Sequence, residues 1–141
     1  MNVQTLETAA TRENLGELFA FVDQALTRLH TPETNRGKMM MALDEVLTNV
    51  VLYAYPEDQR GTLCVCLRRD GPQITAEIVD QGTPFDPTAH PTPDISLPLE
   101  QRPIGGLGIH LTRTLVTRMQ YARENGANRL TLTSTWEEAH A

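Results

Sequence analysis

The sequence predicts an α+β two-layer sandwich, a mixed and largely antiparallel sheet with its helices on one face. Three observations carry that expectation. Two stretches of helical periodicity fill the first third of the chain, and a hairpin turning at Asp70-Gly71 follows them. A second hairpin closes the C-terminal end around Asn125-Gly126-Ala127. Apolar stripes on helices and strands must cover one another, and stacking the helices on one side of the sheet does this most economically.

Taken in order, Val3, Thr5 and Leu6 suggest a short opening strand before Ala9-Ala10. A helix is expected from about Glu13 to His30, with Leu15, Leu18, Phe19, Val22, Leu26 and Leu29 on one stripe. Thr31-Pro32 ends it and opens the next helix, because proline suits a first turn. That second helix is expected to reach Tyr53, before the break at Tyr55-Pro56-Glu57-Asp58. Thr62 to Arg69 and Gln73 to Asp80 read as the strands of the first hairpin. Thr83 to Pro103 then carries six of the nine prolines. Irregular segments longer than about 12–15 residues are uncommon in compact domains and are usually functional or disordered. Gly105-Gly106-Leu107-Gly108 leads into a helix expected to run through Met119, followed by strands Gln120 to Glu124 and Asn128 to Thr135. With no internal repeat or linker, residues 1–141 read as a single domain.

A chain of 141 residues, 40% apolar, can bury a core of its own. Its formal charge of −6 and lack of a basic run argue against a nucleic-acid partner. The longest apolar stretches, Met39 to Leu43 and Val50 to Leu52, are too short to span a bilayer. Met1-Asn2-Val3-Gln4 has neither the basic head nor the apolar run of a signal peptide, so a cytoplasmic protein is expected. Cys64 and Cys66 fall on one face of a strand, where they cannot readily bridge, and read as free thiols. His30, His90, His110 and His140 show no metal-ligand spacing.

Three constellations could carry chemistry. Apolar side chains almost encircle the second helix, yet Glu45 and Asn49 sit one turn apart on it. A buried carboxylate costs several kcal/mol unless it is paired or faces a wet cavity, so this arc is expected to line a pocket. Asp80-Gln81-Gly82 ends a strand, where the carboxylate can accept from an exocyclic amine and the glycine permits close approach to a flat ring. Gly105-Gly106-Leu107-Gly108 enters a helix, and its unpaired N–H groups can cradle an anion. It is not a Walker A loop, since no Gly-Lys-Ser/Thr follows, and no strand precedes it as in a dinucleotide fingerprint.

In the order Glu45-x-x-x-Asn49, Asp80-x-Gly82, Gly106-x-Gly108, these elements resemble the N, G1 and G2 boxes of the Bergerat (GHKL) ATP-binding fold. The surrounding runs Asp44 to Val50, Asp80 to Pro87, Gly105 to Leu111 and Asn128 to Leu132 are similar to anti-sigma-factor serine/threonine kinases of the RsbW/SpoIIAB type. One departure stands out: that family commonly has His-Ala-Tyr after its N box, where this chain has Tyr53-Ala54-Tyr55.

The resemblance implies ATP and Mg²⁺ as cofactors. Asp80 would bond the adenine amino group with Gly82 beside the ring, and Thr131 or Thr133 would support adenine through a water. Asn49 would hold the metal through its amide oxygen. Backbone N–H groups at Gly105, Gly106, Leu107 and Gly108 would cradle the phosphates under a lid of about residues 83–104, to which Arg102 could add charge. Glu45 would act as general base on the acceptor hydroxyl. The implied partners are an anti-anti-sigma protein of the STAS class, phosphorylated on Ser or Thr, a sigma factor, and a second copy in a homodimer. Sensor histidine kinases and gyrase-, MutL- or Hsp90-like ATPases share the fold but need further segments. The alternative is a non-catalytic ATP-binding module that sequesters a protein partner.

Overall fold

The computed structural model describes residues 3–56, 58–86 and 112–137. Alternation along the strands gives the sheet one apolar and one polar face. Strands β1 (Val3–Ala9), β2 (Thr62–Arg69), β3 (Gln73–Asp80), β4 (Arg118–Glu124) and β5 (Ala127–Thr135) lie in the order β1-β2-β3-β5-β4. All four pairings are antiparallel, so the mixed character expected of the sheet is absent among the described residues. Leu63, Val65 and Leu67 of β2, Ile74, Ala76 and Ile78 of β3, and Leu130 and Leu132 of β5 form the buried face. Helices α1 (Leu15–Arg28) and α2 (Glu33–Asn49) cover it with Leu18, Val22 and Leu26, and with Met39, Leu43, Val46 and Leu47. Each such side chain contributes about 1.5–3 kcal/mol on burial, which is why both helices lie on this side.

The opposite face carries the other parity. Registers Glu7↔Cys64, Cys66↔Glu77, Glu77↔Thr131 and Thr75↔Thr133 place these residues together. Cys64 and Cys66 are free, as expected, and half-buried there. Burial raises the Cys64 thiol above the ordinary thiol range, and the nearby Glu7, Cys66 and Glu77 push it the same way.

Element ends depart from the sequence reading, each for a visible reason. α1 follows a short 3₁₀ turn at Arg12–Asn14 and stops at Arg28. Beyond it His30 turns left-handed at φ 56°. Arg69 Nη1 donates to the Leu29 and His30 carbonyls at 3.0 and 2.8 Å, satisfying oxygens that the helix end leaves unpaired. Past Asn49 the chain widens into a π-helical turn, Val50–Ala54, instead of continuing as α-helix to Tyr53. Single π turns occur frequently at functional sites. The helix expected through Met119 ends earlier, at residue 115, and Arg118 already belongs to β4. Here sheet pairing wins: Thr117 N donates to the Thr133 carbonyl at 2.8 Å, and Met119 pairs with Leu132.

Candidate functional site

The widened turn after α2, the end of β3 and the beginnings of β4 and β5 enclose a cavity of about 360 Å³. Its floor is apolar, formed by Val46, Val50, Ile78, Met119 and Leu130, and a few polar groups converge on it. Small-molecule sites are commonly built this way. Glu45 and Asn49 project from one arc of α2, as their spacing predicts. Asn49 Nδ2 donates to Glu45 Oε1 at 3.3 Å, which commits the amide nitrogen and leaves the amide oxygen suited to a hard cation. Among the described residues no group of three or more His, Cys, Asp or Glu could hold a metal ion.

Asp80 ends β3 on the helix side of the sheet and is only 5% exposed, yet it lines the cavity. Its Oδ1 accepts from Gly82 N and from Asn128 Nδ2, both at 2.9 Å. Both donors are neutral, and among the described residues both bonds fall on the same oxygen, leaving Oδ2 for the cavity.

Gly82 is required by a contact different from the expected one. A Cβ on it would lie 2.2 Å from the Ala54 carbonyl oxygen, so only glycine lets this turn approach the end of the α2 segment. Thr83 N donates to the same carbonyl at 2.8 Å, and Arg123 Nη1 donates to the Gly82 carbonyl at 2.8 Å. Tyr55 fastens the other side. Its hydroxyl donates to the Thr62 carbonyl at 2.6 Å and accepts from Gln81 N at 2.7 Å. Burial is the main cause that raises the Tyr55 phenol, with the Asp80 charge adding and the Gln81 N–H opposing. Arg60 also donates to the Val51 carbonyl inside the π turn.

Glu45, Asn49 and Asp80 are thus brought together, with Gly82 bracing the turn behind them. Thr131 and Thr133 are not: they lie on the opposite face of β5, and the β5 residues at the cavity are Asn128 and Leu130. A period of two excludes both threonines once Asn128 faces inward, which corrects the expectation that either supports a ligand here. Gly105, Gly106, Leu107 and Gly108, with Arg102, lie outside the described residues. Of the expected lid only residues 83–86 are described, and Thr83, Pro84 and Phe85 line the cavity. Tyr53, which stands where the family pattern has histidine, is 55% exposed and also lines it.

Asn128 and Tyr121 are among the cavity residues that the sequence reading did not single out as site residues. Asn128, 7% exposed, bridges Asp80 to the Thr83 carbonyl, and Tyr121 O–H donates to Asn128 Oδ1 at 2.5 Å. The signal that could have found them is register: Asp80 pairs directly with Asn128.

BtrW, a serine/threonine-protein kinase of Bordetella bronchiseptica, is 28% identical to this chain over 130 residues, covering 92% of each chain. The serine-protein kinase RsbW of Bacillus cereus is 32% identical over 93 residues, 62% of this chain and 57% of the relative. Among solved structures, the RsbU and RsbW domains of a Mycobacterium tuberculosis protein superpose with a TM-score of 0.67 at 16% identity. That match takes in 96% of this chain and 32% of the larger one. The Acinetobacter baumannii histidine kinase AdeS gives 0.51 at 13% identity, over 94% of this chain and 68% of its own. No helix among the described residues is long and apolar enough to cross a membrane. Residues 8–134 match the histidine kinase-like ATPase domain, and the chain belongs to that family.

Proposed function

We propose that this protein is an ATP-dependent serine/threonine kinase that acts as an anti-sigma factor, phosphorylating a STAS-class anti-anti-sigma partner. The observation that carries the reading is the convergence of Glu45, Asn49 and Asp80 on one cavity with an apolar floor sized for a nucleotide base. The kinase names of BtrW, matched over 92% of each chain, and of RsbW support it.

Asp80 Oδ2 accepts the exocyclic amine of adenine while the apolar floor takes the ring. Asn49, its amide nitrogen held by Glu45, would hold Mg²⁺ through its amide oxygen, and the metal would supply charge neutralisation at the phosphates. N–H groups of Gly105, Gly106, Leu107 and Gly108, which lie outside the described residues, would hold the phosphate oxygens. Glu45, half-buried one turn before Asn49, orients the acceptor hydroxyl and takes its proton. Phosphoryl transfer needs mainly positioning and charge neutralisation, and this inventory supplies both.

The test is a transfer assay with radiolabelled ATP and STAS proteins from the same genome. Glu45→Gln keeps the shape and removes the base, so ATP should bind normally while transfer falls by about 10²–10⁴-fold. Asn49→Ala should weaken Mg-ATP binding and turnover together. Wild type that binds ATP and a sigma factor but labels no STAS protein sinks the kinase reading and leaves a sequestering module.

A further inference from the structure

Asp80 is a buried carboxylate whose described hydrogen-bond donors are Gly82 N and Asn128 Nδ2, both neutral. Such a group has two nearly equivalent oxygens and a free torsion, so something must decide which oxygen meets a ligand. Asn128 faces it across the β3–β5 register and is itself buried. The direction of the Asn128 amide follows from its neighbours. A peptide carbonyl only accepts, so the NH₂ must face the Thr83 carbonyl, and it donates both there and to Asp80 Oδ1, each at 2.9 Å. The amide oxygen then faces Tyr121, whose hydroxyl donates to it at 2.5 Å. Every hydrogen of the Asn128 amide is therefore committed to the protein, and none is left for a base.

We propose that Asn128, held by Tyr121, is a positioning residue that sets base selectivity by fixing the Asp80 carboxylate with Oδ2 toward the exocyclic amine of the purine. The inference rests on the nucleotide reading of the cavity. It assigns Asn128 no contact with the ligand, and it makes Tyr121, Asn128 and Asp80 one relay. The second Asn128 hydrogen ties the Thr83 carbonyl to the same point, so the base site and the first residues after β3 are set together. A site built to hydrogen-bond an amine rejects the analogue that lacks it, because a buried polar group is then left unpaired.

The discriminating ligand pair is Mg-ATP and the triphosphate of purine riboside, which has no 6-amino group. Calorimetry on wild type should show ATP binding about tenfold or more tighter. Asn128→Ala should lose most of that ratio, with ATP weakened by about tenfold and the amine-free analogue changed by less than about twofold. Tyr121→Phe removes one hydroxyl and should shrink the ratio part of the way; it keeps the test alive if Asn128→Ala does not fold. A residue that merely holds the fold would weaken both ligands equally, so an unchanged ratio in both variants overturns the inference while leaving the nucleotide site intact. Wild type that binds both ligands alike overturns the Asp80 assignment, and wild type that binds neither overturns the nucleotide reading itself.

Discussion

Asp80 is the residue at which pattern and contact agree best. An aspartate-x-glycine at a strand end is a weak signal alone, and burial beside two neutral donors makes it specific. Asp80→Ala removes one charge-assisted hydrogen bond to a ligand amine, worth about 1.5–3 kcal/mol. Mg-ATP affinity by calorimetry should fall tenfold or more, and unchanged affinity would reject the site. The threonines give the converse. Thr131→Val and Thr133→Val change the far face of β5, so each should leave ATP affinity within about twofold, inside the small range of substitutions away from special contacts. A tenfold loss in either would mean that the ligand lies across the other face. At this scale the sequence conveyed which residue types gather but not which parity of β5 faces them. Parity depends on the register against β3, a tertiary fact, and that register puts Asn128, not Thr131 or Thr133, on the face of Asp80.

Elements were legible where local chemistry decides them and not where packing does. Both hairpins turn where Asp70-Gly71 and Asn125-Gly126 place them, with Gly71, Asn125 and Gly126 at positive φ. The end of α2 is a tertiary outcome, because the Tyr55 hydroxyl and Thr83 N draw the π turn toward the ends of β2 and β3. Tyr55→Phe keeps the ring and removes the hydroxyl, leaving Gln81 N and the Thr62 carbonyl without that partner. Stability near neutral pH should drop by about 1–3 kcal/mol in denaturant titrations. The pH dependence has a definite sign. Burial raises the folded phenol, so the native state holds its proton more tightly than the unfolded chain. That contribution is complete below the ordinary tyrosine value of about 10 and is lost as pH rises through the folded value. The wild-type advantage over Tyr55→Phe should therefore shrink on the alkaline side; a gap that widens above pH 10 would contradict the assignment.

On the scale of the whole molecule, the cavity is the seam between the two layers. Glu45, Asn49 and Tyr53 come from the helical layer, and Ile78, Asp80, Tyr121 and Asn128 from the sheet. The layer arrangement was foreseeable because amphipathic stripes admit few packings. The all-antiparallel order was not, since it rests on β1–β2 and β3–β5 pairings between distant segments. Nor was the early start of β4, since the hairpin ladder there overrides helical periodicity. A ligand in such a seam touches both layers only when they are assembled, so it binds the native state and not the unfolded chain. Linkage then stabilises the fold by RT ln(1 + [L]/Kd), about 2.7 kcal/mol at a hundredfold excess over Kd. For a domain of this size that corresponds to a rise in Tm of roughly 5–15 °C. Mg-ATP should produce that rise in wild type and in Thr131→Val, growing with the logarithm of ligand concentration. In Asp80→Ala the same concentration is a smaller multiple of Kd, so the stabilisation should fall by up to about 1.4 kcal/mol for each tenfold loss of affinity. Differential scanning calorimetry decides it: a wild-type transition that ignores Mg-ATP would show that nothing nucleotide-like occupies the seam.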